Sequence, residues 1–155
     1  TAPMAAVSAS RAPLKVVTPE TRFSPTQAKS EQTFRGEWVV TGDLTAEETR
    51  GRYLVEGLGH CSECHTPRDA LGGRNLSRWL AGGPNPEGQG NIPNITPAKL
   101  DWSAPDIASY LTTGFTPEFD SVGGHMAHVV ENFARLPESE AQAVAAYLKK
   151  VNPSE

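Results

Sequence analysis

The chain has 155 residues, which suits one compact domain with an extended tail. Its formal charge of −4 argues against nucleic-acid binding, because nucleic-acid-binding proteins concentrate positive charge. Hydrophobic residues make up 37% of the chain and aromatic residues 7%, which is little for a self-sufficient core and leaves apolar volume for a buried cofactor to supply.

Residues 1–44 are rich in Ala, Pro, Ser and Thr, and four prolines interrupt any helical period: Pro3, Pro13, Pro19 and Pro25. We predict an extended arm or linker over these residues and one domain over residues 45–155. We expect the arm to dock on its own domain or on a partner subunit through three aromatic residues: Phe23, Phe34 and Trp38.

The first predicted helix starts at Thr45, whose side chain can form a capping box with Glu48. It should run to about Leu58 and end at Gly59. Its apolar face has helical spacing and consists of Gly51, Leu54, Val55 and Leu58. This helix leads the chain directly into a cysteine-containing motif.

That motif is Cys61-Ser62-Glu63-Cys64-His65, and it contains the only two cysteines of the chain. Two cysteines separated by two residues and followed by histidine form the attachment pattern of a c-type haem. Each thiol can add across one haem vinyl group, and His65 is then placed to bind the iron. We therefore predict one covalently bound haem c held by Cys61, Cys64 and His65.

Three other interpretations of the motif remain open at this point. A thioredoxin-like redox pair would need a βαβ context, and a plain disulfide would leave the histidine unexplained. A structural zinc site would need two more ligands, for which the sequence offers His60, His125 and His128.

Residues 66–100 are dominated by Gly, Pro and Asn, and we predict an irregular wrap with one short helical turn near residues 77–80. Three helices should follow. One begins after Ser103 and ends before Gly114, one covers about residues 124–134, and the last begins near Pro137 and ends with two lysines. Because no segment alternates like a strand, the predicted class is all-α, with four to five helices around one haem.

We predict that Met126 occupies the sixth coordination position of the iron, because the chain's other methionine, Met4, lies in the predicted arm. A thioether opposite histidine raises the potential of haem iron and suits an electron carrier. His125 or His128 could take the position instead. We also expect a carbonyl in the Gly82-to-Pro93 loop to accept the second N–H of His65, and Arg68 and Trp102 to contact haem propionates.

From about residue 45 to residue 151 the chain resembles class I cytochromes c, which implies that fold. The resemblance implies that the first and last helices cross at Gly51, Tyr53 and Tyr147. Three segments are similar to the haem domains of diheme and triheme cytochrome subunits of periplasmic dehydrogenases: Arg52-Tyr53-Leu54-Val55-Glu56-Gly57, His65-Thr66-Pro67-Arg68 and Asn94-Ile95-Thr96-Pro97. Unlike those subunits, this sequence has a single haem motif.

The predicted function is single-electron transfer by a monohaem protein, rather than catalysis, within or beside a larger complex. A dehydrogenase or quinol-oxidising complex would be the donor, and a cytochrome or terminal oxidase the acceptor. The alternative is a haem enzyme, a peroxidase or sulfur-compound oxidoreductase, with an open or displaceable sixth ligand. Covalent haem attachment follows export in bacteria, so we expect a periplasmic protein. No transmembrane run and no signal peptide are recognisable.

Overall fold

The computed structural model describes residues 38–40, 42–85 and 88–155. Phe23 and Phe34, with most of the predicted arm, lie outside these residues. Five α-helices form the described domain: α1 (Ala46–Arg52), α2 (Cys61–His65), α3 (Ala104–Thr113), α4 (Met126–Phe133) and α5 (Glu138–Lys150). A π-helix (Tyr53–Leu58) continues α1, and a 3-10 helix spans Leu76–Arg78. The predicted all-α class is confirmed.

The sheet content of the described residues is small. Strand β1 (Gly83–Pro84) pairs antiparallel with β2 (Asn91–Ile92), and Gly83 faces Ile92. These strands close the irregular loop that the sequence predicted after the cysteine motif. No helix among the described residues has the length and apolar character needed to cross a membrane.

Two helix starts follow the predicted caps. The Thr45 hydroxyl accepts from the Glu48 backbone N–H at 3.2 Å, and the Glu48 carboxylate accepts from the Thr45 N–H at 2.7 Å. Ser103 and Asp106 form the same reciprocal pair at the start of α3. Each box satisfies N–H groups that a helix start would otherwise leave without partners.

Helix α1 crosses α5 at a glycine. A Cβ on Gly51 would lie 1.9 Å from the Ala143 carbonyl oxygen and 2.6 Å from the Tyr147 Cβ, so only glycine permits this approach. Tyr147 is fully buried, and the predicted crossing through Gly51 and Tyr147 is confirmed. Tyr53 is 42% exposed and is not buried at the crossing, because it follows Gly51 by two residues, roughly 200° around the helix.

A glutamate beside this crossing holds the segment that precedes the domain. The Glu56 carboxylate accepts from the Val39 and Val40 backbone N–H groups at 2.8 and 3.3 Å, and also from the Tyr147 hydroxyl. Burial raises the pKa of Tyr147 well above its usual range, so its phenol remains a donor. Residues 38–40 of the predicted arm therefore pack on the helical domain.

Arg52 fastens the same segment from a second side. Its Nη1 donates to the Val40 carbonyl at 3.1 Å, and its guanidinium lies 4.7 Å from the centre of the Trp38 ring. Cation–π contact of this kind contributes about 0.5–1 kcal/mol at exposed sites. Among the three predicted anchors, Trp38 is the one within the described residues, and it contacts the domain.

Candidate functional site

The cysteine motif forms helix α2, which begins immediately after a left-handed residue. His60 has φ of +53°, a conformation that histidine adopts more readily than bulky or β-branched residues. Cys61 is half-buried, Cys64 is exposed, and no disulfide joins them. Residues three apart lie on the same face of a helix, so both thiols point toward one side of α2.

The pKa of Cys61 does not support the thioredoxin-like interpretation. Burial raises the pKa of Cys61 to about 11, so this group is a neutral thiol at neutral pH. Reactive redox cysteines have lowered pKa values. The zinc interpretation also lacks support, because no three His, Cys, Asp or Glu side chains in the described part of the chain are grouped to hold a metal ion.

His65 is oriented by the loop carbonyl that the sequence predicted. Its Nδ1 lies 2.8 Å from the Pro93 carbonyl oxygen, and a carbonyl can only accept, so Nδ1 carries the hydrogen. Nε2 therefore presents its lone pair. Burial lowers the pKa of His65, although the Pro93 bond opposes this shift, and the neutral imidazole is the form that binds metal. The expected carbonyl acceptor is confirmed and is Pro93.

Gly82 allows that carbonyl to reach the histidine. Its N–H donates to the His65 carbonyl at 2.7 Å, and its φ is +70°. A Cβ at this position would lie 2.4 Å from the Ile92 carbonyl oxygen and 2.6 Å from the carbonyl carbon of Pro93. The sequence marks a turn at Gly82 but does not show which carbonyl it admits.

The two middle residues of the motif are held by arginines of the following loop. Ser62 is 1% exposed and accepts from Arg74 Nη1 at 2.7 Å. The Glu63 carboxylate binds Arg68 Nη2 at 2.7 Å and Arg74 Nε at 3.3 Å. The Arg68 hydrogen bond is the main reason that the pKa of Glu63 is lowered. Sequence reasoning missed Arg74, whose only signal is its place in a Gly-rich turn.

The structure places the two predicted propionate donors in different surroundings. Arg68 also donates to the Glu63 carbonyl at 2.9 Å and to the Gly72 carbonyl at 3.4 Å. Trp102 is half-buried and packs edge to face on Tyr110, with ring centroids 5.3 Å apart. These contacts tie Arg68 to the motif and Trp102 to α3. Propionate binding by either side chain stays a prediction.

Met126 is the first residue of α4 and is half-buried against the hydrophobic core. Gly124, with φ of +58°, turns the chain into this helix. His125 and His128 are exposed, and His128 Nδ1 lies 3.4 Å from a Glu131 carboxylate oxygen. The inward position favours Met126 over either histidine as an iron ligand, and this role also stays a prediction.

The donor set of α2 fits a c-type haem. Two thiols that share a helix face and an imidazole whose Nε2 presents its lone pair are the groups that covalent attachment and axial ligation require. The surrounding core is apolar and contains Leu54, Val55 and Leu80, each almost fully buried. Cys61 packs against this core.

Comparisons with known proteins identify the family of the chain. The family model for cytochrome c matches residues 49–152. A diheme cytochrome c-type protein from Cereibacter sphaeroides is 71% identical over 114 residues, which cover 74% of this chain and 38% of that protein. The fructose dehydrogenase cytochrome subunit from Gluconobacter japonicus is 40% identical over 106 residues, covering 66% of this chain and 21% of that protein.

A third relative is the gluconate 2-dehydrogenase cytochrome c subunit from Pantoea cypripedii, which is 34% identical over 112 residues, or 66% of this chain and 25% of that protein. The chain thus spans less than two fifths of the length of these curated relatives. It belongs to the cytochrome c family, which implies a covalently bound haem c. The predicted resemblance to cytochrome subunits of dehydrogenases is confirmed.

Proposed function

We propose that this member of the cytochrome c family binds one haem c through Cys61 and Cys64, with His65 and Met126 as axial ligands. It transfers single electrons between redox partners as a subunit or docked partner of a larger complex. The observation that carries the proposal is the 2.8 Å contact between His65 Nδ1 and the Pro93 carbonyl, which leaves the lone pair of Nε2 available to bind a metal.

The chain's own residues fix the ligands and their surroundings. Haem iron, when bound, supplies a one-electron couple whose potential its axial ligands and surroundings set. The Pro93 carbonyl holds the His65 ring in one orientation and makes Nε2 more basic. The half-buried Met126 offers a thioether donor from α4. Neither role requires a bond-making step by the protein.

We propose a single haem because the chain has one Cys-x-x-Cys-His motif and no further cysteine. The similar protein from Cereibacter sphaeroides is named a diheme cytochrome, and the match covers 38% of it. If that protein carried one haem in the matched part and one elsewhere, its two haems and the single haem proposed for this chain would agree. Haem absorbance per mole of polypeptide measures the number directly.

Names of the relatives support a dehydrogenase as electron donor. Besides the fructose and gluconate dehydrogenase proteins, they include the cytochrome c subunit of a quinone alcohol dehydrogenase. A quinol-oxidising complex is the other donor class, and a cytochrome or terminal oxidase is the acceptor. We propose a periplasmic location, since covalent haem attachment follows export in bacteria.

Met126→Ala tests the ligand set. This variant should lose the methionine–iron charge-transfer band of the oxidised protein and should have a lower reduction potential, because the thioether favours ferrous iron. His128→Ala is the matched control and should change neither quantity, since its side chain is exposed on the same helix. A band and a potential that both survive Met126→Ala unchanged would refute the assignment.

Ligand binding separates this proposal from the haem-enzyme alternative. The wild-type holoprotein should bind cyanide slowly, because a sixth protein ligand must first leave the iron. Rapid cyanide binding together with peroxide turnover would instead identify a haem enzyme.

Loss of acid-stable haem attachment in a Cys61→Ala, Cys64→Ala variant tests the thioether bonds.

A further inference from the structure

A short hairpin over residues 114–122 connects α3 to the segment before Met126. The Val122 N–H donates to the Gly114 carbonyl at 2.7 Å, and the Thr116 N–H donates to the Asp120 carbonyl at 2.9 Å. The Thr116 hydroxyl accepts from the Asp120 N–H at 3.1 Å. These bonds across the turn give the hairpin a defined shape rather than that of a loose loop.

The hairpin presents two aromatic rings to solvent. Phe119 is 87% exposed at its tip and Phe115 is 54% exposed on its first arm. Phe119 also has φ of +67°, a left-handed conformation that costs a bulky residue about 1–2 kcal/mol. A shallow groove between the hairpin and α3 is lined by both rings and by Thr113. Exposed aromatic residues are enriched at the centres of protein interfaces.

The surrounding charge is of one sign. Residues 101–131 contain five carboxylates and neither lysine nor arginine: Asp101, Asp106, Glu118, Asp120 and Glu131. Glu118 and Asp120 flank Phe119 and are exposed, and no ion pair engages them among the residues that the structure describes. An apolar tip with an acidic rim is complementary to a basic surface with an apolar centre.

We infer that residues 114–122 form the docking surface for a redox partner protein whose contact face carries lysine or arginine side chains around an apolar centre. This inference rests on the proposed electron-transfer function. The hairpin is joined to Met126 by three residues, so a partner seated on it would lie beside the proposed ligand. Acidic side chains there would steer a basic partner and raise its association rate.

The test uses a lysine-rich cytochrome c as the probe and the reduced holoprotein as its electron donor. Second-order electron-transfer rates are measured by stopped flow at ionic strengths of about 0.01 M and about 0.15 M. The rate should fall as salt screens the charges. The double variant Glu118→Lys, Asp120→Lys should lower the low-salt rate by about tenfold or more, and Phe119→Ser should lower the rate at both ionic strengths.

Asp43→Lys, Glu47→Lys is the matched control, because it changes the net charge equally and both side chains are exposed, Asp43 before α1 and Glu47 in its first turn. It should reduce the rate much less than the hairpin variant. Equal losses in the two double variants would show net charge acting alone and overturn the docking surface. A changed Soret spectrum or potential in Phe119→Ser would show that this ring packs on haem, which also overturns it.

Spectra recorded beside the transfer rates separate the two proposals. A wild-type protein that lacks the methionine–iron band, binds cyanide rapidly and turns over peroxide would defeat the proposed function and this inference together. An intact band and potential in every variant, with unchanged transfer rates, would defeat the docking surface alone.

Discussion

Two regions contribute the proposed iron ligands, and they are built in opposite ways. The motif region, residues 59–95, holds His65 through the Pro93 carbonyl and ties its middle residues to Arg68 and Arg74. The methionine region, residues 101–131, has exposed carboxylates and two exposed phenylalanines. In the first region Glu63 pairs with Arg68 and Arg74, whereas in the second region Glu118 and Asp120 are exposed to solvent.

This difference separates two tasks of an electron carrier. A histidine ligand needs a fixed orientation, and short hydrogen bonds to a backbone carbonyl supply it. A docking surface needs accessible charge and apolar area that the protein itself does not cover. Each prediction pairs a variant with a control variant, either in the other region or at a contrasting position. The difference between the two shows whether the two tasks are physically separate.

Gly82→Ala should have the largest effect. Its Cβ would lie 2.4 Å from the Ile92 carbonyl oxygen at a φ of +70°, so the loop carrying Pro93 must move. We expect a loss of about 4 kcal/mol in the free energy of unfolding, from overpacking and backbone strain together. Chemical denaturation of the holoprotein measures it. Gly72→Ala, with φ of +83° and no atom within 4 Å, should cost about 1 kcal/mol; equal losses would contradict the predicted clash.

Arg74→Ala should have the next largest effect. It leaves the buried Ser62 hydroxyl without its donor and removes one cation from Glu63. We expect a loss of about 2 kcal/mol in the free energy of unfolding, typical of a buried polar group that loses its partner. Arg135→Ala is the control at an exposed position after α4 and should stay within about 0.5 kcal/mol of wild type. Similar midpoints and slopes in urea for both variants would remove the claimed difference.

Asp69→Ala removes a carboxylate that accepts backbone hydrogen bonds, and Asp120→Ala removes an exposed carboxylate for comparison. Asp69 Oδ1 accepts from the Leu71 and Gly73 backbone N–H groups, both at 2.9 Å, and so closes the turn between Arg68 and Arg74. We expect a loss of about 1 kcal/mol. Asp120→Ala in the methionine region should change unfolding by less than about 0.5 kcal/mol. If Asp120→Ala were the more destabilising, the hairpin carboxylates would be structural rather than available to a partner.

The sequence predicted local features of the fold well. The capping box at Thr45 and the cap at Ser103 are set by residues within one turn of each other, so they can be read directly from the chain. The predicted helix over residues 124–134 is α4 at Met126–Phe133, shorter at its start because Gly124 adopts a left-handed turn. The haem motif was equally local, since its three residues lie within one short helix.

Long-range features were less accessible. Ligand chemistry predicted that a loop carbonyl would accept from His65. Which carbonyl does so depends on how closely Gly82 approaches Pro93. The tie from Asn94 Nδ2 to the Ser154 carbonyl at 2.6 Å joins residues 60 apart and has no sequence signal. The π-helix at Tyr53–Leu58 also escaped prediction, because its apolar residues fit an ordinary α-helical face as well.

Phe119→Gly should have the smallest effect, and one of opposite sign. Glycine adopts a φ of +67° without the steric cost of a Cβ, and the lost ring is 87% exposed, so little buried area is given up. We expect the free energy of unfolding to change by about +0.5 to +1 kcal/mol, in the stabilising direction. Phe115→Gly, at an ordinary backbone conformation, should destabilise slightly. A stabilised Phe119→Gly protein that also transfers electrons more slowly to the basic probe would mean that the strained aromatic ring is retained for binding, because folding alone favours its removal.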